Sequence, residues 1–363
     1  MNVRKAIGPL LAVLLLAGVG FAIYKSIREK KQTDQQIRVR VLSGSEKLSF
    51  LNDPDLAKVL AAEGIGITVE KSGSREIATR PDLKTFDVAY PAGQPAAVKI
   101  AQITGSKRVY ASFYTPIAVA SWKQLIPVLQ ESGLVAEKQG SWFIVNMSKL
   151  LDMMEKGTRW KDLPGNTVYA VGKSVLVTST DVRKSNSGAL YLALAAYLAN
   201  GNNVVETDAD ADRVGDRMVS LFSRQGYQEN TSAGPFEDYV SMGMGKTPLV
   251  MIYEQQFLEY ALQRSTVNPD MVLLYPAPTI LTKHTLVTLS DKGERFAKVM
   301  TTNEKVFSIA HRYGFRTEIN TELYSLAEAH KLSLPHTLVD VVDPPTYEIL
   351  ERMIGRVDAA LSK

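Results

Sequence analysis

Cysteine is absent from all 363 residues. That excludes disulfides, thiolate nucleophiles, cysteine-ligated zinc and a lipid-modified N-terminal cysteine, and it leaves the redox compartment open. Histidine is scarce as well: His284, His311, His330 and His336 are the only four, and none stands at metal-ligand spacing from carboxylates. No Gly-x-Ser-x-Gly elbow accompanies any serine. Gly243-Met244-Gly245-Lys246-Thr247 imitates a phosphate loop, but Val240 stands where the first glycine is needed and Pro248 follows in place of a helix. Asp208, Asp210 and Asp212 alternate as in a calcium loop, yet Arg213 and Val219 hold the glycine and glutamate positions. An acid-rich helix start explains these aspartates better. Neither catalytic machinery, nor a cofactor, nor a metal site is therefore expected.

The charge excess is also local. The net charge of +4 resides in residues 1–36, where Arg4, Lys5, Lys25, Arg28, Lys30 and Lys31 face only Glu29 and Asp34. The remainder holds 36 basic and 36 acidic residues, with no Lys/Arg run interleaved with aromatics, so nucleic-acid binding is not expected. With 45% hydrophobic and 22% charged residues, the chain is long enough for two packed domains.

One long apolar run is present. Ala6 to Tyr24 carries no charge, and at about 1.5 Å per residue it reaches about 28 Å, close to a bilayer core. Gly20-Phe21-Ala22 offers a small-residue cleavage site, but the run is long for a signal peptide, so an uncleaved transmembrane anchor is expected. Residues 25–36 then form a charged tether. More basic residues follow the segment than precede it, which by itself favours a cytoplasmic C-terminal domain.

Beyond the tether, strand and helix patterns alternate. Ile37, Val39 and Val41 alternate with arginines as in a strand, and Asp53-Pro54 reads as an N-cap with proline in the first helical turn. Ile65, Ile67 and Val69 make the next strand and Val88-Ala89-Tyr90 another. This predicts a mostly parallel sheet with helices on both faces, whose ligands gather at the carboxyl ends of the strands. Three turns of small hydroxyl residues and glycine lie at such ends: Ser43-Gly44-Ser45, Ser72-Gly73-Ser74 and Ser185-Asn186-Ser187-Gly188. The last follows the strand-like runs Val168–Val171 and Val175–Val177 and opens a charge-free helical stretch from Ala189 to Ala199. Unpaired N–H groups at a helix front, beside hydroxyl and amide donors, cradle a small anionic or strongly polar ligand. The same residue types also serve as plain helix caps. Val109–Trp122 suggests a strand leaving one domain for another, and Pro248–Tyr253 a return strand.

This plan resembles the type II periplasmic (extracellular) solute-binding proteins, in particular the branch handling molybdate, tungstate, sulfate or phosphate. The residues that carry the resemblance are Gly44-Ser45-Glu46, Ser74, Trp160-Lys161-Asp162-Leu163, Thr180-Asp181, Ser185-Asn186-Ser187-Gly188, Tyr253-Glu254 and Tyr275-Pro276, spread over about residues 37–315. The resemblance implies two doubly wound α/β domains joined by a two-strand hinge, after an N-terminal transmembrane helix. Residues 37–112 plus 254–363 would form the first lobe and 113–253 an inserted second lobe. It implies a cleft in which Gly44, Ser45 and Ser74 meet Ser185, Asn186 and Ser187, with Thr115 and Tyr253 at the hinge. A small oxyanion or polar solute would close the cleft and be passed to a membrane transporter or sensor. Such proteins keep the binding domain outside the cytoplasm, which would set the globular part in the periplasm against the charge count. Glu254 puts a carboxylate near the site, and residues 316–363 extend past the resemblance. Both departures fit an alternative, a ligand-free scaffold that acts through protein contacts in a membrane complex.

Overall fold

A computed structural model describes residues 36–138, 142–338 and 340–361. The expected anchor and the first part of its tether lie outside the described residues. No helix among the described residues is long and apolar enough to cross a membrane.

Ten strands are described: β1 Ile37–Ser43, β2 Ile65–Lys71, β3 Val88–Tyr90, β4 Val109–Trp122, β5 Val135–Lys138, β6 Trp142–Asn146, β7 Val250–Tyr253, β8 Met271–Ala277, β9 Thr279–Thr288 and β10 Val341–Val342. They join in the order β2-β1-β3-β9-β4-β8-β6-β5, with β7 added on β4 and β10 on β9. The sheet is mixed rather than mostly parallel. β1 runs parallel to β2 and β3, and β6 parallel to β8, whereas β9 is antiparallel to β3 and β4.

The 14-residue β4 is the spine. Its first half, Val109–Pro116, pairs with β9, and its second half, Ile117–Trp122, pairs with β7 and β8. Two separate cores flank these halves. On the first, alternation along β1 turns Val39 and Val41 toward Phe50, Phe113, Phe296 and Phe315, while Leu42 faces Ile77, Ala97 and Ile100 on the other side. Phe50 meets Phe113 edge-on at 5.2 Å and Phe315 at 5.9 Å between ring centroids.

The second core surrounds the helix Asn186–Ala199, whose residues from Asn186 to Ala196 are all buried. Its lack of charge is explained by burial on every face. The helices Asp208–Ser223 and Tyr347–Leu361 pack on it and on each other, and Gly215 allows the close approach, since a Cβ there would lie 3.0 Å from Arg356 Cβ. Asp208 and Asp212 pair with Arg352, and Asp216 with Arg356, across this contact, and Thr207 caps the helix by accepting from Asp210 N–H at 3.1 Å.

Packing divides the chain differently from the expected boundaries. β8 pairs with the second half of β4 and with β6, and Ile349, Leu350, Met353 and Val357 join the second core, so only part of 254–363 lies with the first. The expected return at Pro248–Tyr253 ends on β4's second half, and the chain recrosses between β8 and β9. The reason is that antiparallel neighbours of a strand shared by two sheets are drawn into whichever half they can pair with. Residues 168–177 also differ from expectation: they form no strand, and Val168 is exposed.

Candidate functional site

The first two hydroxyl turns follow β1 and β2, and the third opens the helix Asn186–Ala199. β1 stops where Gly44 turns out of the strand, and a Cβ on Gly44 would collide with Ser74 Oγ and the Glu46 carboxylate. Ser72 N–H donates to Ser43 O at 3.0 Å, which sets the second turn beside the first. Ser74 Oγ then accepts from Ala92 N–H at 2.9 Å, tying the loop after β3 to both. That loop ends at Gly93, the N-cap of the helix Gln94–Thr104, with φ +98. Glycine is required there twice over, by its backbone and because a Cβ would sit 2.9 Å from Asn186 Oδ1.

Asn186 comes from the other side. It begins the buried helix, and its Nδ2 donates to Tyr253 Oη at 3.0 Å. Ser185, the N-cap, makes no side-chain cap bond, so it does not serve as a simple cap. Its hydroxyl lies 3.0 Å from that of Ser187, which in turn lies 2.9 Å from Thr180 Oγ1. The N–H groups of Asn186, Ser187 and Gly188 have no backbone acceptor, as the first turn of any helix dictates.

These elements enclose one small cavity, about 40 Å³, between the two sheets. Ser45, Ser74, Ser185, Asn186 and Tyr253 line it together with Ser72, Gly73, Lys71 and Lys184. Gly44 abuts it through Ser74 and Glu46. Two expected residues are elsewhere. Thr115 is fully buried and its hydroxyl accepts from Gln255 N–H at 3.1 Å, capping the helix Glu254–Leu262. Ser187 is spent on Thr180 and Ser185.

Several lining residues carried no signal strong enough to be picked out. Asn230-Thr231-Ser232 reaches the cavity from the loop before the helix Ala233–Met242. Its run of small polar residues ahead of a helix was the available clue. Glu46, noted only as part of a motif, turns its carboxylate inward onto Lys47 Nζ. Lys47 is completely buried, 4.7 Å over the Tyr90 ring, and donates to His284 Nδ1 at 3.3 Å, which leaves His284 Nε2 buried without a partner. Burial pushes the Lys47 ammonium below its ordinary value against the pull of Glu46. Burial, then the Lys47 charge, holds His284 well below the usual imidazole range. Burial also raises Tyr253, and Glu46 nearby adds to it, so the Tyr253 hydroxyl stays a neutral donor.

Glu254 does not face the cavity. It is fully buried and gripped by Arg316, Nε to Oε2 at 2.6 Å and Nη2 to Oε1 at 2.8 Å, with the Tyr275 hydroxyl donating at 2.7 Å. Among the described residues no group of three or more His, Asp or Glu could hold a metal ion.

The arrangement of two sheets, a shared strand and a polar cavity between them can be set beside solved structures. A periplasmic thiamin-binding protein superposes with a TM-score of 0.60 at 13% identity, over 90% of this chain and 97% of its own. The fold is that of a periplasmic substrate-binding protein. An iron-bound HitA from Pseudomonas aeruginosa (TM-score 0.54, 12% identity, 90% and 97% covered) has the same fold. So does a putative spermidine/putrescine ABC transporter protein from Listeria monocytogenes (0.54, 11%, 89% and 98%). Identities this low show the fold alone. No protein-family model and no curated protein matches the sequence.

Proposed function

We propose that this protein captures a small oxyanion or other small polar solute between its two lobes and presents the closed form to a membrane transporter or sensor. One observation carries the reading: five residues picked out from sequence, Ser45, Ser74, Ser185, Asn186 and Tyr253, meet at one cavity between the lobes, beside the fronts of the helices Asn186–Ala199 and Glu254–Leu262. Exposed Lys71 and Lys184 at its rim add positive charge. Each charge-assisted hydrogen bond to an anion contributes about 1.5–3 kcal/mol. The open form offers one lobe's donors only, so ligand favours closure about β4 and the β8–β9 crossing. The N-terminal apolar segment would hold the protein on the membrane with the globular part outside the cytoplasm, and no enzymatic step is invoked.

A second reading, the ligand-free scaffold, is favoured by the Glu46 carboxylate, which takes up space beside Gly44 and Ser74 in a cavity already small. Thermal unfolding with a panel of oxyanions, amino acids and metals separates the two. A ligand at 100 times its Kd should add about 2.7 kcal/mol of stability, and no shift with any of them would favour the scaffold.

A further inference from the structure

The helix-front cavity adjoins a second pocket of different chemistry. Ser45, Glu46 and Ser232 line both. The second is an open pocket of about 370 Å³, at the small end of ligand pockets. Ser49 closes it from the first lobe, and Glu237, Gln255, Glu259 and Tyr260 from the second. Its charge is mostly acidic. Glu46 already has Lys47 as counter-ion, whereas Glu237 and Glu259 make no ion pair among the described residues. The partners of Glu259 are neutral, the Gln255 amide at 2.7 Å and the Ser49 hydroxyl. Arg264, the only basic residue lining the compartment among the described residues, is exposed and lies 4.3 Å over the Tyr260 ring.

The other end of the Gln255 amide points the same way. Gln255 is 1% exposed, and its Oε1 is buried with no donor among the described residues. An unused acceptor beside an unpaired carboxylate is a costly pairing, and a ligand with several N–H donors relieves both. An ammonium supplies three donors and one positive charge. Burial raises the Glu259 pKa, as expected of a carboxylate that lacks its cation.

We infer that the solute carries an ammonium group, which seats between Glu259, Gln255 Oε1 and Glu237 while its anionic or polar end meets the helix fronts at Ser74, Ser185 and Asn186. This rests on the solute-binding reading above and names the class of solute. The bound molecule is a short zwitterion, its ends separated by the step from one compartment to the other.

The test uses the full chain and matched probes: β-alanine, taurine and 2-aminoethylphosphonate against propionate, ethanesulfonate and ethylphosphonate, which lack only the amine, with inorganic sulfate and phosphate alongside. Thermal shift and calorimetry should show at least one amine binding more tightly than its partner. In Glu259→Gln that advantage should shrink about tenfold or more, the loss of a charge-assisted contact, while any binding of the amine-free probe is unchanged. Glu237→Gln, at an exposed position, gives a second measure that unfolding cannot confuse. Equal binding of each pair, or binding by sulfate or phosphate alone, overturns the ammonium and leaves solute binding standing. No shift with any probe overturns both.

Discussion

Glu254 and Glu46 are both inward-turned carboxylates beside a buried cation, and what surrounds them differs. Around Glu254 both carboxylate oxygens and all three guanidinium nitrogens are used: Arg316 grips it through Nε and Nη2, Tyr275 donates to it, and Nη1 and Nη2 also donate to the Tyr324 hydroxyl and Pro335 O, both at 3.1 Å. Around Glu46 the pairing is incomplete. Lys47 has one carboxylate oxygen and one imidazole nitrogen, and the far side of that imidazole has nothing. The satisfied cluster lies in packed protein at the crossing between lobes, and the unsatisfied one borders the cavity. Polar capacity is left over where a ligand or a motion has use for it, and nowhere else in this pair.

The sharpest way to break the contrast is to remove one cation from each cluster. Arg316→Ala strands a fully buried Glu254 and should cost about 3–5 kcal/mol, read from denaturant unfolding. Lys47→Met keeps the volume and leaves Glu46 next to the cavity, where water reaches it, so the loss should be smaller, about 1–3 kcal/mol. Equal losses would mean the two clusters do the same structural task.

Acid sharpens the same comparison. The unfolded chain protonates its histidines near 6.5, while burial keeps His284 neutral in the fold, so protons bind more to the unfolded state below that pH. Stability should therefore fall as pH drops below 6.5, by about 1.4 kcal/mol per pH unit for this group, until the folded pKa is reached. His311, also lowered by burial, adds to the slope. Unfolding midpoints between pH 7.5 and 5 in His284→Gln should show a shallower fall than in the parent chain, and an unchanged slope would remove His284 from the account.

Smaller effects separate the expected site residues by role. Thr115→Ala removes the hydroxyl that accepts from Gln255 N–H and should cost about 1 kcal/mol without changing which probes bind. Asn186→Ala removes the hydrogen bond to Tyr253 and should lower the ligand-free stability by about 1 kcal/mol, yet abolish any shift caused by a bound solute. A large ligand-free loss with binding intact would make Asn186 a structural residue.

Much of this was legible along the chain. The alternation Ile37-Val39-Val41, the cap Asp53-Pro54 and the three hydroxyl turns are local features, and the cap forms as read, with Asp53 Oδ1 accepting from Asp55 and Leu56 N–H at 2.7 and 3.1 Å. The apolar runs Val168–Val171 and Val175–Val177 form no strand: the first is largely exposed, and the second lies buried but irregular beside β4 and β7, which already pair with each other. Thr115 and Ser187 lie off the cavity lining, where a nearby N–H and neighbouring hydroxyls take up their own hydroxyls.

The residue types in each turn, the uncharged character of the buried helix and the position of glycine at residues 44 and 93 were determined by the sequence itself, since backbone dihedrals and side-chain periodicity act over a few residues. Which turns face one another was decided only by the tertiary structure. Asn186 reaches Gly93 and Tyr253, and Lys47 meets His284, because β4 is shared by two sheets and brings their ends together. The acidic compartment has the same origin. Glu237, Gln255 and Glu259 come from two helices, and only the fold sets Ser45, Glu46 and Ser49 of the other lobe across the same pocket from them.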